Sequence, residues 1–93
     1  MTENEKTIVN RFLDDQGRVK TWPSKNSKQT LIFAYIAEFF EVGVKYTEHD
    51  INMKLSELHT FEDLFLLRRG LIVSGYMDRE KDGSAYWRTE QGC

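Results

Sequence analysis

The chain has 93 residues, 40% hydrophobic, 13% aromatic and 30% charged, the proportions of one small globular domain. A net charge of -2 advertises no general affinity for nucleic acid, and no apolar run approaches the roughly 20 residues that a membrane helix needs. The opening MTENEKTIVN lacks the basic-then-apolar order of a secretory signal, and the one cysteine, the terminal Cys93, cannot form an internal disulfide, which fits the cytoplasm.

Residues 3–13 carry Ile8, Val9, Phe12 and Leu13 on one side of a predicted helix, which DDQG should stop at the flexible Gly17. RVKTWP then alternates and ends at the only proline, as an extended edge segment would. The most apolar helix is predicted over 28–40, capped by Ser27, with Leu31, Ile32, Tyr35, Ile36, Phe39 and Phe40 as a broad buried stripe. Val42, Val44 and Tyr46 at period two form a very short strand. Thr47 with Asp50 three residues on approximates a capping box, and Ile51, Leu55 and Leu58 give the next helix its buried face. After LHT another helix is predicted from a Thr60 cap, with Asp63 in the box position, to about Val73. Two strand-like runs, YMDRE and AYWRT, flank KDGS, and Asp-Gly between such runs is a hairpin signal with Lys81–Ser84 at its tip.

The expected class is therefore α+β, a winged helix-turn-helix with an extra N-terminal helix and a C-terminal β-hairpin wing. No linker divides the chain, so residues 1–93 read as a single domain: N-terminal helix 3–13, helical core 28–73, hairpin 76–89.

On a wheel of the last predicted helix, Phe61, Leu64, Phe65, Leu67, Leu71 and Ile72 cluster, and Arg68 points among them. A guanidinium there needs a carboxylate, from Asp78, Glu80 or the acids of residues 47–57. Arg68 is thus expected in a structural ion pair. Arg69 lies at the edge of the opposite face, behind a first turn carrying Glu62 and Asp63, which would repel phosphates.

Charge is unevenly distributed. No acid lies between Asp15 and Glu38, where Arg18, Lys20, Lys25 and Lys28 surround Trp22. From Glu38 to Asp63 seven acids oppose Lys45 and Lys54. The candidate nucleic-acid contacts are Arg18, Lys20, Lys25, Lys28 and Arg69, with Arg79, Lys81 and Arg88 of the hairpin. A second reading packs Trp22 over a core edge. Met53, Leu66 and Val73 fall off their helices' buried faces and form a candidate partner patch. His49 and His59 have no further ligand at metal spacing, and no nucleophile triad or glycine-rich phosphate loop is present. The expectation is a non-enzymatic protein with no cofactor, no metal and no evident small-molecule ligand. Protein contact or self-association is the leading expectation, and weak DNA or RNA binding through the 18–28 segment and the hairpin is the alternative.

TWPSK (21–25), YTEHDIN (46–52) and LLRRGLIVSGYMDREKDGSAYWR (66–88) together resemble the bacterial domain-of-unknown-function family 2087, over roughly residues 7–89. The resemblance implies a winged-helix module that occurs alone or attached to transcription-regulator-like domains, and it transfers no catalytic residue. The family pattern commonly places an acid after the two arginines, where this chain has Gly70.

Overall fold

The computed structural model describes residues 2–60 and 63–89. Phe61, Glu62 and Cys93, named above, lie outside them. The architecture is α+β. Its order is α1 (Glu3–Asn10), α2 (Asn26–Ala37), β1 (Lys45–Tyr46), α3 (Glu48–Leu58), α4 (Leu64–Val73), β2 (Met77–Arg79) and β3 (Tyr86–Arg88). The three strands form one antiparallel sheet of order β1-β3-β2. The hairpin is therefore widened by a third strand, with Tyr86 opposite both Tyr46 and Arg79.

Helix α1 opens with a capping box between Thr2 and Glu5. It stops three residues earlier than its apolar pattern predicts. The N–H groups of Arg11, Phe12 and Leu13 bond back three residues rather than four, tightening the chain. Leu13 then pairs with Val19 across a turn in which the Asp14 carboxylate accepts the Gln16 and Arg18 N–H groups. Gly17 takes φ 78° in that turn, and the Tyr35 hydroxyl of α2 donates to its carbonyl at 2.6 Å. Val19 is no edge residue. It is fully buried, bridged to Leu13 on one side and His59 on the other. The 18–22 segment thereby ties α1 to the end of α3.

Helix α2 begins two residues before its predicted start. Lys25 occupies the N-cap without a side-chain cap, and Ser27 sits inside the first turn. Ile32, Phe33, Ile36 and Ala37 are buried. Beyond Ala37 the chain again bonds back three residues, which turns Phe39 outward (42% exposed) and Phe40 inward (1%). Phe39 thus leaves the predicted stripe and rests edge-on against Tyr35.

In α3 the predicted cap and stripe both stand: Thr47 and Asp50 bond reciprocally, and Ile51, Leu55 and Leu58 are buried. Helix α4 begins later than its pattern indicates. Its N-cap is Asp63, which accepts the Leu66 N–H, not Thr60. Only Leu67 and Leu71 of α4 are buried. Gly83 takes φ 76° in a four-residue hairpin tip closed by a hydrogen bond from Glu80 N–H to Ala85 O. Tyr86 of β3 is buried and Trp87 half-buried. Buried residues from all four helices, the 18–22 segment, β2 and β3 form one apolar cluster.

Candidate functional site

A solvent-facing groove of about 440 Å³ runs between α2 and α4. Its base comes from Phe33 and Gly70, its apolar walls from Trp22, Leu66 and Val73, and its polar rim from Asn26, Gln29, Thr30, Arg69 and Ser74. Gly70 creates the groove's depth. A methyl group at its Cα would come within 2.0 Å of the Phe33 ring, so α4 approaches α2 only because residue 70 has no side chain. Trp22 stands 5.2 Å from Phe33, ring centre to ring centre, and is shared with a second groove of about 360 Å³ that contains Lys25 and Lys28. No carboxylate lines either groove among the described residues.

The basic residues singled out in the sequence are not one surface. Arg18 is held by Asp14, Nε to Oδ2 at 2.8 Å, and the Asp14 carboxyl lies below its ordinary value, first because the Arg18 backbone N–H donates to it. Lys20 and Lys25 are exposed and Lys28 is half-buried. Arg69 is exposed on α4 and, among the described residues, makes no hydrogen bond or ion pair. Arg79 and Lys81 are exposed on the hairpin and line neither groove. Arg88 is half-buried and donates to the Phe40 carbonyl. The structure therefore brings Lys25, Lys28 and Arg69 to the two grooves that share Trp22, and the hairpin cations Arg79 and Lys81 line neither.

Arg68 has a largely buried side chain, 15% exposed, with Nη1 3.0 Å from Glu48 and 2.8 Å from Asn52 Oδ1. Its guanidinium also lies 4.7 Å from the centre of the Phe65 ring. The contacts with Glu48 and Asn52 join α4 to α3. Glu48 is 53% exposed, so the ion pair is screened by water on one side.

Two sequence expectations about α4 need correction. Phe65 does not join the buried cluster; it is 73% exposed. Taking Leu64, Leu67 and Leu71 as the buried centre puts Phe65 roughly 130° away at 100° per residue, a signal hidden because counting apolar residues on half a wheel drew the face too wide. Nor does the first turn carry two acids. Asp63 is the cap, its carboxylate engaged by the helix N–H, and the first turn holds none. The outer face of α4 is instead Phe65, Arg69 and Val73, with Val73 76% exposed. Of the proposed patch, Leu66 and Val73 share the groove, whereas Met53 is 54% exposed on α3 and lies outside it.

Among the described residues no cluster of three or more histidine, cysteine or acidic side chains is placed to hold a metal, and no helix is long and apolar enough to cross a membrane.

Residues 18–88 match the model of a bacterial family described as "Uncharacterized protein conserved in bacteria (DUF2087)". That span is well over half of the chain, and the protein belongs to this family. The match contains the groove, the Arg68 contacts and the hairpin, and leaves α1 outside. No curated protein and no solved structure matches the chain.

Proposed function

We propose that the protein is a non-enzymatic, cytoplasmic regulatory domain of the winged helix-turn-helix kind, acting in transcription-related regulation through contacts with protein, including copies of itself. The order α2-β1-α3-α4-β2-β3, with β3 central in the sheet, supports the winged-helix reading. In that arrangement α4 takes the place of the helix that enters the major groove.

The observation that carries the proposal is the outer face of α4. Base edges are read by side chains that donate and accept hydrogen bonds, arginine, lysine, asparagine and glutamine above all. Here that face offers two exposed large apolar residues, Phe65 and Val73, around a single arginine. A helix apolar on its inner and outer faces is one whose outer face is to be covered. Protein surfaces rich in aromatic residues and arginine cover such a face well.

The second reading is weak nucleic-acid binding at Trp22, favoured by one observation: a half-buried tryptophan between two grooves with cationic but no anionic lining. Size-exclusion chromatography with light scattering separates the readings, run with and without a mixed DNA pool at two salt concentrations. The protein-contact reading expects a mass that depends on protein concentration and not on DNA. A monomer that shifts only with DNA, and less at the higher salt, would replace it with the second reading.

A further inference from the structure

The patch residue that the groove leaves out, Met53, belongs to a surface of its own. Asp50, Met53 and Glu57 are all exposed and lie within about 60° of one another on α3. They make a methionine flanked by two carboxylates. The one lysine of this helix, Lys54, does not neutralise them: its Nζ donates to the Phe39 carbonyl at 2.9 Å and sits over the Phe40 ring. The groove between α2 and α4 has the opposite character. Its apolar walls are Trp22, Leu66 and Val73, its free cation is Arg69, and Lys25 and Lys28 stand beyond Trp22. Neither Met53 nor Glu57 lines the groove of its own chain.

We propose that the α2–α4 groove of one copy receives the exposed face of α3 from a second copy. Met53 enters between Trp22 and Val73, and the carboxylates of Asp50 and Glu57 face Arg69 and the lysines. The apolar anchor supplies most of the affinity, while the charges set orientation and register, because exposed ion pairs are individually weak. The groove is open to solvent, as a site for one face of a helix must be. The contact is heterologous: each copy offers a groove at one place and an α3 face at another, so association continues into a ring or an open chain rather than ending at a twofold dimer. This inference rests on the protein-contact reading and names the partner for it.

The test uses the full chain and two variants altered only at exposed positions, with far-UV circular dichroism to check that both stay folded. Arg69→Glu blocks the groove, and Met53→Asn with Glu57→Gln blocks the α3 face. The wild-type chain should show a mass that rises with concentration past that of a dimer. Each variant alone should weaken association at least tenfold. Mixed in equal amounts, the two should form a one-to-one dimer and nothing larger, because one intact groove meets one intact α3 face and both remaining faces are blocked. A wild-type chain still monomeric at about 1 mM overturns the inference. So does a wild-type association that either variant retains, or a mixture of variants that stays monomeric. A wild type that stays monomeric also counts against self-association in the protein-contact reading. A wild type that associates while a variant retains that association, or while the mixed variants stay monomeric, overturns this inference alone and leaves the protein-contact reading standing.

Discussion

Replacing Gly70 with alanine tests the close approach on which the groove depends. In an exposed, uncrowded helix the change is favourable by about 1 kcal/mol, because glycine is the poorer helix former. Here the added methyl group would sit 2.0 Å from Phe33 Cζ and 2.4 Å from Cε1, inside the ring's van der Waals surface. Overfilling a packed site typically costs 1–3 kcal/mol, and an overlap with a ring rather than a flexible tip belongs at the upper end of that range. The sum is a net loss of about 1–2 kcal/mol for Gly70→Ala, against a total stability on the order of 5–10 kcal/mol. The melting temperature should fall by roughly 5–15 °C. Urea unfolding followed by far-UV circular dichroism measures the loss directly. Phe33→Leu removes the ring atoms that clash, so in that background Gly70→Ala should become neutral or stabilising by up to about 1 kcal/mol, a change of sign that a double-mutant cycle reads as coupling. A Gly70→Ala variant more stable than the wild type by about 1 kcal/mol, with no coupling to Phe33, would show that the helices are not in contact there.

Two further outcomes concern the neighbours of the groove. Arg68→Met should cost about 1–2 kcal/mol, from the lost Asn52 hydrogen bond and the Phe65 contact, whereas Glu48→Gln should cost less than about 1 kcal/mol because Glu48 is half in water; equal losses from both in chemical denaturation would mean that the ion pair dominates. The lowered pKa of Asp14 means that its contribution to stability is present above its ordinary value of 3.8 and is lost as pH falls through the lower folded-state value. Asp14→Asn should therefore flatten the acid limb of a melting-temperature profile below about pH 4, and an unchanged limb would show that the turn at Gly17 does not draw on the ionised carboxylate.

The order of the elements was legible because each has its own local chemistry. The reciprocal cap of Thr47 and Asp50 and the stripe of Ile51, Leu55 and Leu58 depend on neighbours within one helix, and both stand in the structure. The shortfalls occur where distant residues decide. Helix α1 stops at Asn10 because Leu13 is taken by Val19, and α4 starts at Leu64 because Asp63, not Thr60, caps it. The position of Val19 between Leu13 and His59 joins residues forty apart in sequence, which periodicity cannot register. The candidate site was legible only in part. Arg68 draws on Glu48 because its surroundings demand a carboxylate; the sequence set out that need but left Asp78, Glu80 and the acids of residues 47–57 as equal candidates. Phe65 was misplaced, and Gly70 stood out only as a departure from the family pattern. Its contact with Phe33 exists only once α2 and α4 are packed.

On the proposed reading, the outer face of α4 meets protein and does not read bases. An equilibrium titration with duplex DNA at about 0.15 M salt tests it most directly, since exposed charges are well screened at that ionic strength. No tight sequence-specific complex should form. At lower salt only weak association is expected, with a log-log salt slope near -3 to -4, as about four phosphate contacts would give, insensitive to Phe65→Ser. Nanomolar affinity for one duplex that competitor DNA cannot displace, lost in an Arg69→Ala variant, would contradict it.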